Sequence, residues 1–353
     1  MNHLRGEIPV LNGVRGLAVL VVFLAHASDI YFSGAVAGWG GGQLGVMLFF
    51  VLSGFLMAHL YMGEVATPAA MCRFAVNRIA RIYPMFVLVV LFCFVAGHQG
   101  FPVYVYPIPT LHEMLLHLAL VKGNDLLWTI GPEVIFYGLF VLAWALRRRS
   151  TPAMWGYMLV LAAASWLPFQ SSESNSLLQL HDKLPFFLAG TLLGMHSGHL
   201  LEASHRRAPW MSWAFWLSLA LFVLALPRLL AHVGNLPAHL AGDPWPHPWG
   251  YPFYLFVTVL LFSAAVVARP WLLTNHLAQF TGRISYSFYL LHAMVLKSIQ
   301  PVVPTHPLVA IALAALITMI LSWFTYRLIE TPARRALQRL GPSLFKNVMA
   351  SVA

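Results

Sequence analysis

The chain has 353 residues, of which 59% are hydrophobic and 9% charged, with a net charge of +10 and a mean hydropathy of +0.74. Soluble domains average about 45–50% apolar and about 25% charged residues, so this composition excludes a water-soluble globular fold, a disordered chain and a nucleic-acid-binding domain. Its two cysteines, Cys72 and Cys93, fall in or beside apolar stretches and suggest neither a disulfide framework nor a metal site.

A spanning helix takes about 20 mostly apolar residues. Windows of that size predict an all-α polytopic membrane protein with ten transmembrane helices, near 10–28, 43–62, 83–98, 131–147, 153–169, 184–198, 210–230, 250–268, 285–301 and 307–327, and no soluble domain. Residues 1–353 read as a single transmembrane domain, with a core over 10–332 and a short cytoplasmic tail over 333–353. The connection at 232–249, with Pro244, Trp245, Pro246, Pro248 and Trp249, reads as an interfacial aromatic loop. With the N-terminus cytoplasmic, 16 basic residues between Arg5 and Lys346, Arg206 and Arg207 among them, fall on the inner connections. Four, Lys122, Lys183, Arg228 and Lys297, fall on the outer ones, and Arg15 lies inside the first span. The positive-inside rule predicts that bias, so ten spans with both termini cytoplasmic is self-consistent. The first apolar run resembles a signal peptide, with Ala35-Val36-Ala37 behind it, but Arg15 and His26 interrupt it and favour a retained helix.

Ionisable residues in hydrocarbon are costly enough that each is a functional candidate. Arg15 and His26 share the first span. Eleven residues advance about 1,100°, about 20° beyond three turns, so both side chains lie on one face about 16 Å apart. A snorkelling arginine with a hydrogen-bonded core histidine explains each residue alone better than it explains the aligned pair. The run Phe49-Phe50-Val51-Leu52-Ser53-Gly54-Phe55 in the second span reads as close helix packing through its small residues. Arg78 and Arg81, three apart in a basic lead-in to Tyr83-Pro84, suit either anionic lipid or the bidentate recognition of phosphate. In Trp128-Thr129-Ile130-Gly131-Pro132-Glu133, Gly131 fits an N-cap and Pro132 a first helical position. Glu133 is then either a helix-dipole partner or a carboxylate that orients His26. Ile284-Ser285-Tyr286-Ser287 opens the ninth span and leads to His292, a second buried histidine or a packing one. Arg327 with Glu330-Thr331-Pro332 reads as a helix end with a local ion pair.

These landmarks, in this order from Leu11 to Pro332, resemble the acyltransferase-3 family of bacterial membrane O-acyltransferases. Gly131-Pro132 departs from the Ser and aliphatic residue usual there. The resemblance implies transfer of an acyl group, commonly acetyl, from cytoplasmic acyl-CoA to a hydroxyl of a carbohydrate acceptor, at the bacterial inner membrane. Acyl-CoA is then a donor substrate and no cofactor is tightly bound. By position, His26 and Arg15 become the catalytic pair with Glu133 beside them, and Arg78 and Arg81 hold the CoA phosphates. Further partners are the lipid bilayer and polysaccharide assembly proteins, and no nucleic acid is expected. The competing reading is a secondary transporter or saccharide flippase in which buried Arg, His and Glu form a proton relay or anion site. A non-catalytic scaffold leaves the aligned Arg15 and His26 unexplained.

Overall fold

In hydrocarbon every backbone N–H and C=O must find its partner within the protein, which restricts spanning segments to helices and closed barrels. The computed structural model describes residues 8–35, 37–38, 40–166, 176–205, 208–233 and 250–340, and among these the chain is helical with no β-strand. The helices are α1 (Pro9–Phe32), α2 (Gly42–Met57), α3 (Pro68–Gln99), α4 (Leu111–Leu118), α5 (Ile130–Arg149), α6 (Thr151–Ala164) and α7 (Ser176–Met195). They continue as α8 (Ser197–His205), α9 (Pro209–Leu224), α10 (Pro227–Val233), α11 (Gly250–Ala268), α12 (Trp271–Thr274), α13 (His276–Ile299) and α14 (Pro307–Thr325). Single π-helical turns extend α2 over Ala58–Met62 and α14 over Tyr326–Glu330.

Helix is present in every predicted span, although 184–198 and 210–230 each straddle two helices and 167–169 lie outside the described residues. Among the described residues five helical segments are long and apolar enough to cross a membrane: Pro9–Phe32, Gly42–Met62, Pro68–Gln99, Asp125–Arg149 and Pro307–Leu340. The apolar helices α6 and α9, of 14 and 16 residues, rise about 21–24 Å against a hydrocarbon thickness of about 30 Å. Helix α13 is long enough, but Arg283, His292 and Lys297 dilute its apolar character. Arg5, Val36, Arg206, Arg207, Lys346, the aromatic connection at 234–249 and the tail from 341 lie outside the described residues.

Several boundaries move. The basic lead-in at 73–82 and the third span are one 32-residue helix that runs through Pro84. A 3₁₀ turn, Asp125–Thr129, leads directly into α5, so Thr129 and not Gly131 stands at the N-cap. Ile284–Ser287 sits inside α13 rather than at its start. The helix does not end at Arg327; it continues to Leu340, Glu330 is buried, and the Arg327 guanidinium lies 5.5 Å over the Trp323 ring. Lys183, counted among outer-loop residues, lies inside α7 and is 7% exposed.

Two compact units emerge, Met1–Gly63 with Pro185–Ile317, and Glu64–Leu184 with Thr318–Ala353. In the first, α1 packs along α13 and α2, and α11 packs against α9, α8 and α2. Glycines permit the approach: a Cβ at Gly13 would collide with the Leu273 backbone, and one at Gly282 with the Asn12 backbone. Gly54 meets the Phe187–Thr191 backbone, so the small-residue run in α2 is a packing device. In the second unit α3 packs on α4 and α5, and α5 on α6. Phe74 stacks on Phe140 at 5.5 Å, and the Trp144 Nε1–H donates to Glu64 O at 2.9 Å.

Gly282→Ala should therefore cost about 1–3 kcal/mol through forced separation of α1 and α13. A Cβ added at Gly156, in α6, would meet no atom within 4 Å, so Gly156→Ala should instead stabilise by about 0.5–1 kcal/mol. Thermal unfolding in detergent compares the two, and equal effects would contradict the packing account.

Candidate active site

Helices α1 and α13 run parallel, and their contact brings His26 to His292. Nδ1 of His26 lies 3.0 Å from Nε2 of His292, with ring centroids 5.2 Å apart. His292 is fully buried among Phe23, Phe288 and Tyr289, whereas His26 is half-buried. The partners assign the protons. Nδ1 of His292 lies 2.7 Å from Tyr289 O and 3.1 Å from Phe288 O. Carbonyls only accept, so that nitrogen carries the hydrogen. In neutral His292 the Nε2 is then an acceptor, and the Nδ1–H of His26 donates to it. His26 is thereby held in the tautomer whose Nε2 has a lone pair. The Cε1–Nε2 edge faces Gly42 at the start of α2, where a Cβ would stand 3.7 Å from Cε1 and 3.9 Å from Nε2.

Arg15 does not touch this pair. Its Nη1 donates to Asn12 Oδ1 at 3.0 Å, and Asn12 Nδ2 to Gln279 Oε1 at 3.4 Å, which ties it into the other end of the α1–α13 contact. Eleven residues of helix separate it from His26, about 16 Å along the axis. A second imidazole, and not the cation on its own helix, lies against the His26 ring.

In the second unit Glu133, Arg78 and Arg81 gather around Tyr137. Glu133 lies in the first turn of α5, and the Tyr137 hydroxyl one turn later donates to its Oε1 at 2.6 Å. The Arg78 guanidinium lies 5.7 Å from the Phe74 ring and 5.9 Å from the Tyr137 ring, and the charges of Arg78, Arg81 and Glu133 all act on the Tyr137 hydroxyl. Trp128 carries the ammonium of Lys183 5.9 Å from its ring. Sequence reading gave neither Tyr137 nor Lys183 a role in the site. The signal for the first was its i+4 spacing from Glu133; Lys183 had none, because its partner lies 55 residues away. Among the described residues no three His, Cys, Asp or Glu side chains are grouped to hold a metal.

The family model of the Acyltransferase domain matches residues 8–327, a stretch that contains all five of these positions and His292. The chain belongs to this acyltransferase family. A Rhizobium radiobacter protein, "Protein 2 in picA locus", is 31% identical over 182 residues, 44% of this chain and 90% of that protein. A Staphylococcus aureus (strain COL) protein named a "putative O-acetyltransferase" is 24% identical over 365 aligned positions, 93% of this chain, which spans 57% of that relative's length. No solved structure matches the chain significantly.

In this acyltransferase the segment before Trp128 is fastened by a buried histidine outside the spans. The His117 Nδ1–H donates to Glu113 O at 2.7 Å, and Asn124 N–H donates to its Nε2 at 3.1 Å. Lys122 Nζ and Glu113 Oε1 form a 2.7 Å ion pair beside it. Burial pushes the His117 imidazole below its ordinary value, with the Lys122 charge adding to the effect and Glu113 opposing it. Protonation of Nε2 also removes the acceptor of the Asn124 amide. The open form thus binds more protons than the folded one below about pH 6.5, and stability falls as pH falls wherever that holds. Hydrogen exchange corrected for intrinsic rates should show protection of the Asn124 amide falling as pH drops through about 6.5, with His117→Gln removing the pH dependence. A flat profile in the wild type would refute the role of His117 as a neutral fastener.

Proposed function

We propose that this chain is an O-acyltransferase that moves an acyl group, acetyl in the simplest case, from acyl-CoA to a hydroxyl of a carbohydrate acceptor. The observation that carries the reading is the 3.0 Å hydrogen bond from His26 to His292. A sugar hydroxyl is a weak nucleophile and needs a base at its proton, and an imidazole oriented by a third group is a recurrent solution. His26 Nε2 takes the hydroxyl proton as the oxygen attacks the thioester carbonyl. The carbon–sulfur bond then breaks, and the proton leaves with the CoA thiol. His292 touches neither substrate; it is a positioning residue that fixes the ring and tautomer of His26. Arg15, on the same face of α1, supplies positive charge for the anionic donor. Support for oxygen as the acceptor atom comes from the family and from the name of the staphylococcal relative.

In the second unit, Arg78 and Arg81 recognise phosphates of CoA. Three apart on α3, they offer two guanidinium forks to one anionic group. Glu133 acts on Arg78 through the shared Tyr137, which fixes the direction of the arginine fork. The topology that fits this chemistry has ten spans with both termini cytoplasmic, in the inner membrane of a bacterium. Its support is the excess of basic residues on the connections that the sequence places inside. Polysaccharide assembly proteins are the partners such an enzyme would serve.

His26→Ala should lower acyl transfer by about 10²- to 10⁴-fold while acyl-CoA still binds. His292→Ala should lower the rate less and shift the pH–rate profile, because it frees the ring without removing the base. Incubation with labelled acetyl-CoA and no acceptor should leave His26 unlabelled; label on the ring would make it an acyl carrier instead. Near-normal turnover of folded His26→Ala would end the assignment.

Arg78→Ala and Arg81→Ala should each weaken acyl-CoA binding about 10- to 100-fold, the loss of a charged hydrogen bond worth about 1.5–3 kcal/mol. Lysine at either position should restore affinity only in part. Equilibrium binding of CoA to the double alanine variant with wild-type affinity would return both residues to an anchoring role on anionic lipid.

A further inference from the structure

A cavity of about 350 Å³ opens in the first unit where three helix ends meet: the C-terminus of α8, the N-terminus of α9 and the C-terminus of α11. It lies apart from His26 and His292 in its lining and carries none of the residues assigned above. Ser204, His205, Pro209, Ser212 and Arg269 contribute to its walls, and among the described residues no carboxylate does.

Arg269 is an unusual residue for its position. It ends α11 in the left-handed region, at φ 45°, with its N–H on Ala265 O at 3.0 Å. Glycine takes this helix-ending conformation without steric cost, and an L side chain is strained in it. Pro270 follows and stops the helix without help. The backbone therefore gives no reason for an arginine; the side chain must. Its Nε is shielded from solvent and has no hydrogen-bond partner among the described residues, a state that a bound acceptor would relieve. Opposite it, α9 begins with Ala208 at the N-cap and Pro209 behind it, with no side-chain cap. Pro209 has no N–H and the Met211 N–H donates to Ala208 O at 3.0 Å, so what this first turn adds is the partial positive charge of the helix dipole. His205 completes a lining that favours an anion.

The depth of the cavity identifies the anion. Trp210 and Trp213 on α9 are 63% and 75% exposed, and Trp271 on α12 is 78% exposed. Exposed tryptophans on a membrane protein mark the headgroup level. Leu217, one turn beyond Trp213 on the same face, is 73% exposed and extends that face toward the hydrocarbon. We propose that the cavity at Arg269 holds the phosphate of an anionic phospholipid headgroup, with the acyl chains lying along the Trp210–Trp213–Leu217 face of α9.

The test reconstitutes the full chain in nanodiscs of phosphatidylcholine with a minority of phosphatidylglycerol and counts retained lipid by native mass spectrometry. Wild-type protein should retain phosphatidylglycerol in preference, and Arg269→Gln should reduce that preference about fivefold, the contribution of one basic residue near the surface. Arg269→Gly is the second variant. It relieves the strained turn, so it should unfold no earlier than wild type in lipid-free detergent and still lose the preference. An unchanged preference in both variants overturns the proposal. So does an early-unfolding Arg269→Gly, which would make the arginine structural. Free CoA is the competing source of the same phosphate chemistry: if CoA displaces the retained lipid from wild type, and Arg269→Gly loses CoA affinity, the cavity belongs to the donor and not to a lipid.

Discussion

The approach of α1 to α13 is the constraint on which the rest of the first unit depends. Lipid chains are as apolar as leucine, so membrane helices are held together by packing and interhelical hydrogen bonds rather than by burial from water. At one end of this pair, glycine meets backbone at Gly16 with Ala278 and Gly282, and at Gly282 with Asn12, while Gly13 admits the Leu273 backbone of α12 just before α13. At the other end the Tyr31 hydroxyl donates to Leu296 O at 3.0 Å, and Gln300 Nε2 to Ile30 O at 3.1 Å. The two imidazoles lie between these fastenings. Their 3.0 Å separation is set by contacts on both sides of them, so the ring geometry is a property of the helix pair and not of two side chains alone.

What the sequence disclosed divides along the same line. Apolar run length located a helix for each predicted span, and helical periodicity placed Arg15 and His26 on one face, because both signals are local. The helix ends were less legible. Pro84 looked like a start but lies inside α3, and Gly131-Pro132 looked like a cap but follows a 3₁₀ turn that begins at Asp125. In each case a helix tolerated a residue that usually interrupts or opens one. The contact between His26 and His292 was not legible at all, since 266 residues separate them and nothing in either local motif specifies the other. Glu133 was half legible: the position that favours a carboxylate by the helix dipole is real, and the Tyr137 hydroxyl that engages it lies one turn further on.

Histidines that donate to a carbonyl one turn back are common in this chain, and the contact alone does not mark a functional residue. Nδ1 of His98, His117 and His196 each lies 2.7–2.9 Å from the carbonyl four residues earlier, as that of His292 lies 3.1 Å from Phe288 O. The second nitrogen separates them. That of His117 receives a backbone amide, which makes it a fastener. That of His292 receives another imidazole, which turns a common helix contact into a link between backbone and the half-buried ring of His26.

This arrangement answers a difficulty specific to the bilayer. In water-soluble enzymes a carboxylate often orients the histidine base and compensates the charge it acquires. A carboxylate held at membrane depth brings a formal charge that has to be neutralised there. Backbone carbonyls carry no formal charge and are present in every helix. His292 gathers two of them, from Phe288 and Tyr289, on one ring nitrogen and presents the other to His26. The orientation that a carboxylate would supply is thus obtained from two helices and two neutral rings. The helices must also come close enough for the rings to meet, and Gly16 and Gly282, where α1 and α13 touch, allow that approach.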